Sequence, residues 1–135
     1  MASSAAKRLE DFPEPSAPCN DPQLRLARLF YQLRRRRGQF FGPDLFAEPG
    51  WDILLDLYIA GREGREVCVS GACAGASVPH TTALRWLKWL EDAALVVRRC
   101  DLSDARRTHV ELSETARRRM DILLDDAAVL IGSDL

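Results

Sequence analysis

The sequence has no surplus of either charge. Nineteen Lys and Arg stand against twenty Asp and Glu over 135 residues, a formal net charge of −1. That balance excludes a protein coated in positive charge, so affinity for a polyanion must come from local clustering. A long apolar run is also missing. The longest ones are broken by Asp56 or by charged neighbours well short of a bilayer span. The first twenty residues mix Ala, Ser and Pro with scattered charge and fit neither a secretory signal nor a membrane anchor. A disordered tail over residues 1–20 and a cytoplasmic location are the expectations. Cys19, Cys68, Cys73 and Cys100 form no CxxC pair and no regular framework, which reads as free thiols. Cys68, Cys73, His80 and His109 match no standard zinc spacing, so no metal or other cofactor is expected. Paired carboxylates, a nucleophile with its base and a glycine-rich phosphate loop are absent too, which removes the usual marks of an enzyme.

What is present is a core of one-domain length, 47% hydrophobic and 29% charged, built from a succession of amphipathic segments. Asn20-Asp21-Pro22 marks a helix start, with an Asx cap and proline in the first turn. Leu24, Ala27, Leu29, Phe30 and Leu33 carry that helix to about Arg37, with Gly38 as its stop. The run from Arg34 to Arg37 suits a solvated helix end favoured by the macrodipole, with contact to flanking DNA phosphates as the lesser alternative. Residues 39–48, with Phe41, Gly42, Pro43, Leu45 and Phe46, read as a connector packed onto the domain. Pro49 opens a helix whose Trp51, Leu54, Leu55, Tyr58 and Ile59 cover most of its surface, as in a central helix buried on several sides. A turn over 61–64 and a short strand over 66–69 follow. Ser70 then caps a small helix rich in Gly71, Ala72, Ala74, Gly75 and Ala76, side chains short enough to pack closely across another helix.

The segment after it holds the densest information. Pro79 suits a first helical turn, and from Ala83 the residues Trp86, Leu87, Leu90 and Ala94 recur at three- and four-residue steps, giving one apolar stripe toward the core. The opposite stripe carries Thr81, Thr82, Arg85 and Lys88, with His80 at the first turn. Short polar and cationic side chains near a helix N-terminus suit phosphates and base edges in a major groove. Residues 95–99 and 108–112 then read as two strands around a polar turn, with Asp101 and Asp104 expected to brace Arg106 and Arg107. Between Pro79 and Arg119 there are nine Lys and Arg against six acids. The last helix is capped by Ser113 and runs from 114 to about 131, with Met120, Leu123, Leu124, Ala127, Leu130 and Ile131 on its apolar side. This order, mainly α with a small β wing (α+β), spells a winged helix-turn-helix over 21–135, with a recognition helix at 79–92 and a wing at 96–112. More apolar surface on the last helix than a small domain can cover points to a homodimer held by the helices 21–37 and 114–131.

Leu90-Glu91, the run from Ala94 to Arg98, the run from Asp101 to Arg106 in the pattern D-x-x-D-x-R, and Leu112-Ser113 fall in one register. On these motifs, specific across residues 50–120, the chain resembles the bacterial multiple-antibiotic-resistance regulator (MarR) type of winged-helix transcription factor. The resemblance implies a homodimer on pseudo-palindromic double-stranded DNA, with Arg85 contacting the major groove and Arg106 placed in the minor groove. It also implies a small aromatic effector, for which Phe30, Trp51 and Tyr58 are candidate lining residues, although core packing is the stronger reading of those aromatics. By analogy with oxidant-sensing relatives, Cys100 beside Arg98 and Arg99 is a candidate reactive thiol. Ala94 stands where the family carries glycine after the recognition helix, and one C-terminal helix stands where many relatives have two. The second reading, from a different class, is a winged-helix module that binds protein and not DNA, on the strength of Leu84 and Trp89 lying off the core stripe.

Overall fold

The computed structural model describes residues 21–42, 47–101, 103–104 and 106–134. The tail expected over 1–20, and Pro43, Leu45 and Phe46 of the connector, lie outside them. Among the described residues are five helices and a three-stranded antiparallel sheet: α1 (Pro22–Phe41), α2 (Pro49–Glu63), β1 (Val67–Cys68), α3 (Val69–Ala74), α4 (His80–Asp92), β2 (Val96–Cys100), β3 (Thr108–Leu112) and α5 (Glu114–Asp134). The sheet order is β1-β3-β2, with Val67 opposite Val110 and Val96 opposite Leu112 fixing the register.

α2 is the pillar. Ile53, Leu55, Leu57, Tyr58, Ile59 and Ala60 are buried on several of its sides, as its nearly continuous apolar surface requires. Leu24 and Ala27 of α1, Leu87 and Leu90 of α4, Val96, Val110 and Leu112 of the sheet, and Met120 and Leu124 of α5 close the same core around it. Phe30, Trp51 and Leu54 pack against this core, and Tyr58 is 2% exposed. Phe30, Trp51 and Tyr58 therefore serve as packing.

Three boundaries differ from the sequence expectation. α1 continues through Gly38 to Phe41 and ends at Gly42, whose N–H reaches the Gly38 carbonyl at 2.9 Å. A glycine inside a helix costs about 1 kcal/mol, and here the turn before it is tied down by charge. Arg34, with only 11% of its side chain exposed, forks onto Asp52 and reaches Glu48 at 3.3 Å. The four-arginine run is thus a solvated end at Arg35 and Arg36 but an interhelical clamp at Arg34. β1 is cut to Val67–Cys68 because the chain turns into α3 at Val69. α3 starts on Cys68 without a side-chain cap, which corrects the assignment of that role to Ser70. Asp21 and Ser113 do cap α1 and α5, accepting from Leu24 N and Ala116 N, each at 3.1 Å.

A second clamp joins α1, α2 and α5. Arg62 donates to Asp21 at 2.5 Å, to Asp121 at 2.8 Å and to Gln23, and it stacks over the Tyr58 ring. Tyr58 donates its hydroxyl to Asp121 at 2.6 Å. Burial first, and then that hydrogen bond, push its phenol above the ordinary value. Beyond these ties the outer halves of the end helices are apolar and uncovered. Leu29 and Leu33 on α1, and Ile122, Leu123, Leu130 and Ile131 on α5, are exposed, because a single domain reaches only Ala116, Met120 and Leu124 of the long helix. No helix among the described residues is long and apolar enough to cross a membrane.

Candidate nucleic-acid interface

α3 and α4 are joined by a tight turn in which Ser77 takes a left-handed φ of 59°. Ala72, Cys73 and Ala76 are buried against the core there. The small side chains are needed at this crossing: a Cβ on Gly75 would stand 3.2 Å from the Asp56 carboxylate. Pro79 proves to be the residue just outside α4, extended at ψ 148° and accepting from Ala83 N at 3.0 Å. Its missing N–H still costs nothing at this position.

Ala83, Leu87 and Leu90 form the buried stripe of α4. Trp86 and Ala94, assigned to that stripe from the sequence, do not belong to it. Trp86 lies at the stripe's edge, 38% exposed, its ring laid over Gly50 at the start of α2, so close that a Cβ there would meet it at 3.2 Å. Ala94 falls beyond the helix end, with a left-handed φ of 62°. Opposite the buried stripe Thr81, Arg85 and Lys88 are exposed, His80 is exposed at the first turn and Thr82 is half-buried, so five of the seven predicted site residues share one helix. Lys88 pairs with Asp92 at 2.9 Å, which raises its amine above the ordinary value. No hydrogen bond or ion pair joins Arg85 to the described residues.

The wing is β2 and β3 with its tip at residues 101–107. Arg98 donates to Glu91 at 3.0 Å, fastening the wing to the last turn of α4. Arg99 bridges Glu111 at 3.2 Å and Glu66 at 3.0 Å across the sheet. At the tip, Asp104 accepts from Arg106 N at 3.1 Å and only distantly, at 3.5 Å, from its guanidinium. Asp101 does not brace an arginine side chain, as the sequence suggested. It accepts from the Ser103 hydroxyl at 2.7 Å, from Ser103 N at 2.8 Å and from His109 Nε2 at 3.0 Å. The Ser103 hydroxyl first, and His109 next, hold its carboxyl well below the usual carboxylate range. The acids thus spend their lone pairs on the turn itself and leave the cations outward. The Arg106 side chain is 93% exposed, and Arg107 is exposed beside it.

Sequence reasoning missed the strut from His109 to Asp101 and the clasp from Arg98 to Glu91. Both join residues seven or eight apart across an element boundary, where no helix or strand period predicts a meeting. It also missed that Trp86 and Trp89 form an edge-to-face pair, ring centroids 5.9 Å apart. Three-residue spacing on a helix was the available signal. Cys100 is exposed on β2. Among the described residues no group of His, Cys, Asp and Glu is gathered to hold a metal ion.

No family model matches the chain, and no curated protein is similar to it in sequence. Solved structures are similar in fold. AF1382 from Archaeoglobus fulgidus aligns at 18% identity and a TM-score of 0.52, covering 70% of this chain and 96% of that one. MepR of S. aureus, in its DNA-binding conformation, aligns at 16% and 0.51, covering 80% of each. The heme sensor protein PefR from Streptococcus agalactiae, in complex with heme, aligns at 14% and 0.50, covering 90% and 82%. The architecture is therefore the MarR-like winged-helix fold that the sequence motifs suggested.

Proposed function

We propose that the protein is a DNA-binding transcriptional regulator. It acts as a homodimer, laying α4 in the major groove and the tip of the wing in the adjacent minor groove. One observation carries the reading: the face of α4 turned away from the core presents Thr81, Arg85 and Lys88, with His80 exposed at its first turn, and the neighbouring wing extends Arg106 almost wholly into solvent. This is a cationic, two-pronged surface on a protein whose net charge is −1. A helix and a basic hairpin so paired suit a groove and its flanking phosphates, and the fold is shared with a protein crystallised in a DNA-binding conformation. Thr82 and Arg107 complete the proposed contact set. The exposed apolar faces of α1 and α5 support the dimer, which a symmetric site requires so that two recognition helices lie about one DNA turn, ~34 Å, apart. A small aromatic effector has a place in this reading. A cavity of about 420 Å³ lies between the end of α1, the start of α2 and the α3–α4 turn, where Arg35 stacks on Tyr31 at 4.8 Å.

The test is selection of duplexes from a random library by the purified chain, followed by titration of the best one. Sedimentation of the wild type and of Leu123→Asp and Leu130→Asp at micromolar concentration runs beside it. Specific binding by a dimer, weakened in both aspartate variants, is the expected result. A protein that enriches no duplex and sediments as a monomer overturns the reading and favours the protein-binding module.

A further inference from the structure

The two exposed tryptophans of α4 are what a plain phosphate-and-guanine surface leaves unexplained. Trp89 is 59% exposed, on the turn after Arg85 and on the same side of the helix. Such a side chain gains nothing in water and ordinarily marks a contact. It is also held in place. Trp86 is laid closely over Gly50, where a Cβ would meet its ring at 3.2 Å, and its ring meets that of Trp89 edge to face at 64°. The outer indole thus rests on a fixed support.

We infer that Trp89 reads thymine: its indole packs on the C5-methyl group of a thymine in the major groove, with Trp86 as the positioning residue behind it. The inference rests on the DNA-binding reading and names which base that surface adds to the ones Arg85 can read. The neighbours of Trp89 decide between a nucleic acid and a protein partner. Arg85 lies one turn before it and Lys88 directly before it, and the nearby Asp92 is already taken by Lys88 at 2.9 Å. An apolar protein surface closing over Trp89 would have to desolvate Arg85, which pairs with no acid among the described residues. The major groove offers what this mixed patch needs, phosphates and guanine edges for the cation and a row of methyl groups for the ring. The spacing gives a register. Four helical residues rise about 6 Å, nearly two base-pair steps of about 3.4 Å, so the thymine belongs one to three base pairs from the base that Arg85 contacts.

Replacing single thymines of the selected duplex by deoxyuridine removes only the methyl group. In wild-type protein, one or two adjacent positions should show about a fourfold loss of affinity on that replacement. Trp89→Ala should bind the thymine duplex more weakly and be indifferent to deoxyuridine there. Trp89→Phe should retain part of the difference, and Arg85→Ala should retain all of it. Because Trp89 is exposed, circular dichroism is expected to show all three variants folded. The inference is overturned if wild-type protein binds its selected duplex and tolerates deoxyuridine at every position, if no thymine is selected within three base pairs of the Arg85 contact, or if Trp89→Ala keeps the full penalty. It is also overturned if Trp89→Ala leaves DNA affinity intact and abolishes self-association, which makes the patch a protein contact. Failure to select any duplex overturns the DNA reading itself, a result distinct from all of these.

Discussion

Two sets of arginines, one at each end of this molecule, are used in opposite ways. Where α1 and α5 meet α2, Arg28, Arg34 and Arg62 are folded back onto Glu63, Asp52, Asp21 and Asp121, with 11–30% of each side chain exposed. At the α4 and wing end, Arg85 has no acidic partner among the described residues, and Arg106 keeps one distant contact at 93% exposure. The same residue type thus works as an interhelical fastener in one set and as an outward donor in the other, while Arg98 and Arg99 fasten the wing itself. A guanidinium whose charge is already balanced by carboxylates, and which is held half-buried against them, is poorly placed to reach a phosphate. Counting cations along the chain cannot separate the two uses, and this explains how a chain with net charge −1 can still present a cationic face.

Salt should separate the ends most widely. A dimer that neutralises about 6 to 10 phosphates loses on the order of a thousandfold in affinity between 50 and 200 mM salt. The half-buried pairs at the other end are screened much less. Anisotropy titration should therefore show a steep slope while the melting temperature barely moves over the same range. A flat binding titration, or a melting temperature that collapses with the affinity, would erase the distinction.

The next largest effect belongs to the fastener end. Arg34→Ala leaves Asp52, 7% exposed, as an uncompensated charge in the joint between α1 and α2, at a cost of about 3 kcal/mol in urea unfolding. Arg34→Met with Asp52→Leu should recover most of that, because removing both charges also removes the desolvation cost. Neither change should alter DNA affinity at a temperature where the protein is folded. A loss of affinity without loss of stability would mean that Arg34 faces DNA after all.

At the outward end the expected costs are smaller and appear only in binding. Arg85→Ala should weaken the selected duplex by roughly 1–3 kcal/mol and random duplex far less. Arg106→Ala should weaken both by similar, lesser amounts. Unfolding midpoints of both variants should match wild type. If the two substitutions prove equal in specificity, the division into a base-reading helix and a groove-filling wing fails.

The order of elements, the wing and the polar face of α4 were legible in the sequence because each obeys a local rule: Asp21 and Ser113 cap, Pro49 opens a helix, and Thr108 to Leu112 alternate. What escaped depends on contacts that no local period encodes. Arg34 looked like the first of four solvated arginines until Asp52, eighteen residues away, was brought against it. Trp86 shared the apolar spacing of Leu87 and Leu90, but it falls at the edge of the stripe, and only the approach of Gly50 decides where its ring rests. Asp101 and the arginines of the tip were close in sequence and opposite in charge, yet Ser103 and His109 reached the carboxylate first. Proximity along the chain ranked those partners wrongly because hydrogen-bond geometry, set by the turn, ranks them otherwise.

The smallest predicted effect compares one motif built at both ends. α2 closes with Gly64 at a left-handed φ of 73°, Arg65 N donating to Ala60 O at 2.8 Å and Gly64 N to Gly61 O at 3.4 Å. α4 closes identically with Ala94 at φ 62°, Leu95 N donating to Leu90 O at 2.9 Å and Ala94 N to Glu91 O at 3.0 Å. Both are Schellman closures, which favour glycine at the left-handed position, and only the one leading into the wing carries a Cβ there. A left-handed L-residue costs roughly 1–2 kcal/mol, partly offset because alanine also restrains the unfolded chain more than glycine does. Ala94→Gly should therefore stabilise the protein by about 0.5–1 kcal/mol in urea unfolding, and Gly64→Ala should destabilise it by a comparable amount. Because Arg98 is still clasped to Glu91 across the same turn, the wing should keep its place in Ala94→Gly, and DNA affinity should be unchanged. A weaker affinity in a more stable protein would mean instead that the strained turn sets the angle between recognition helix and wing.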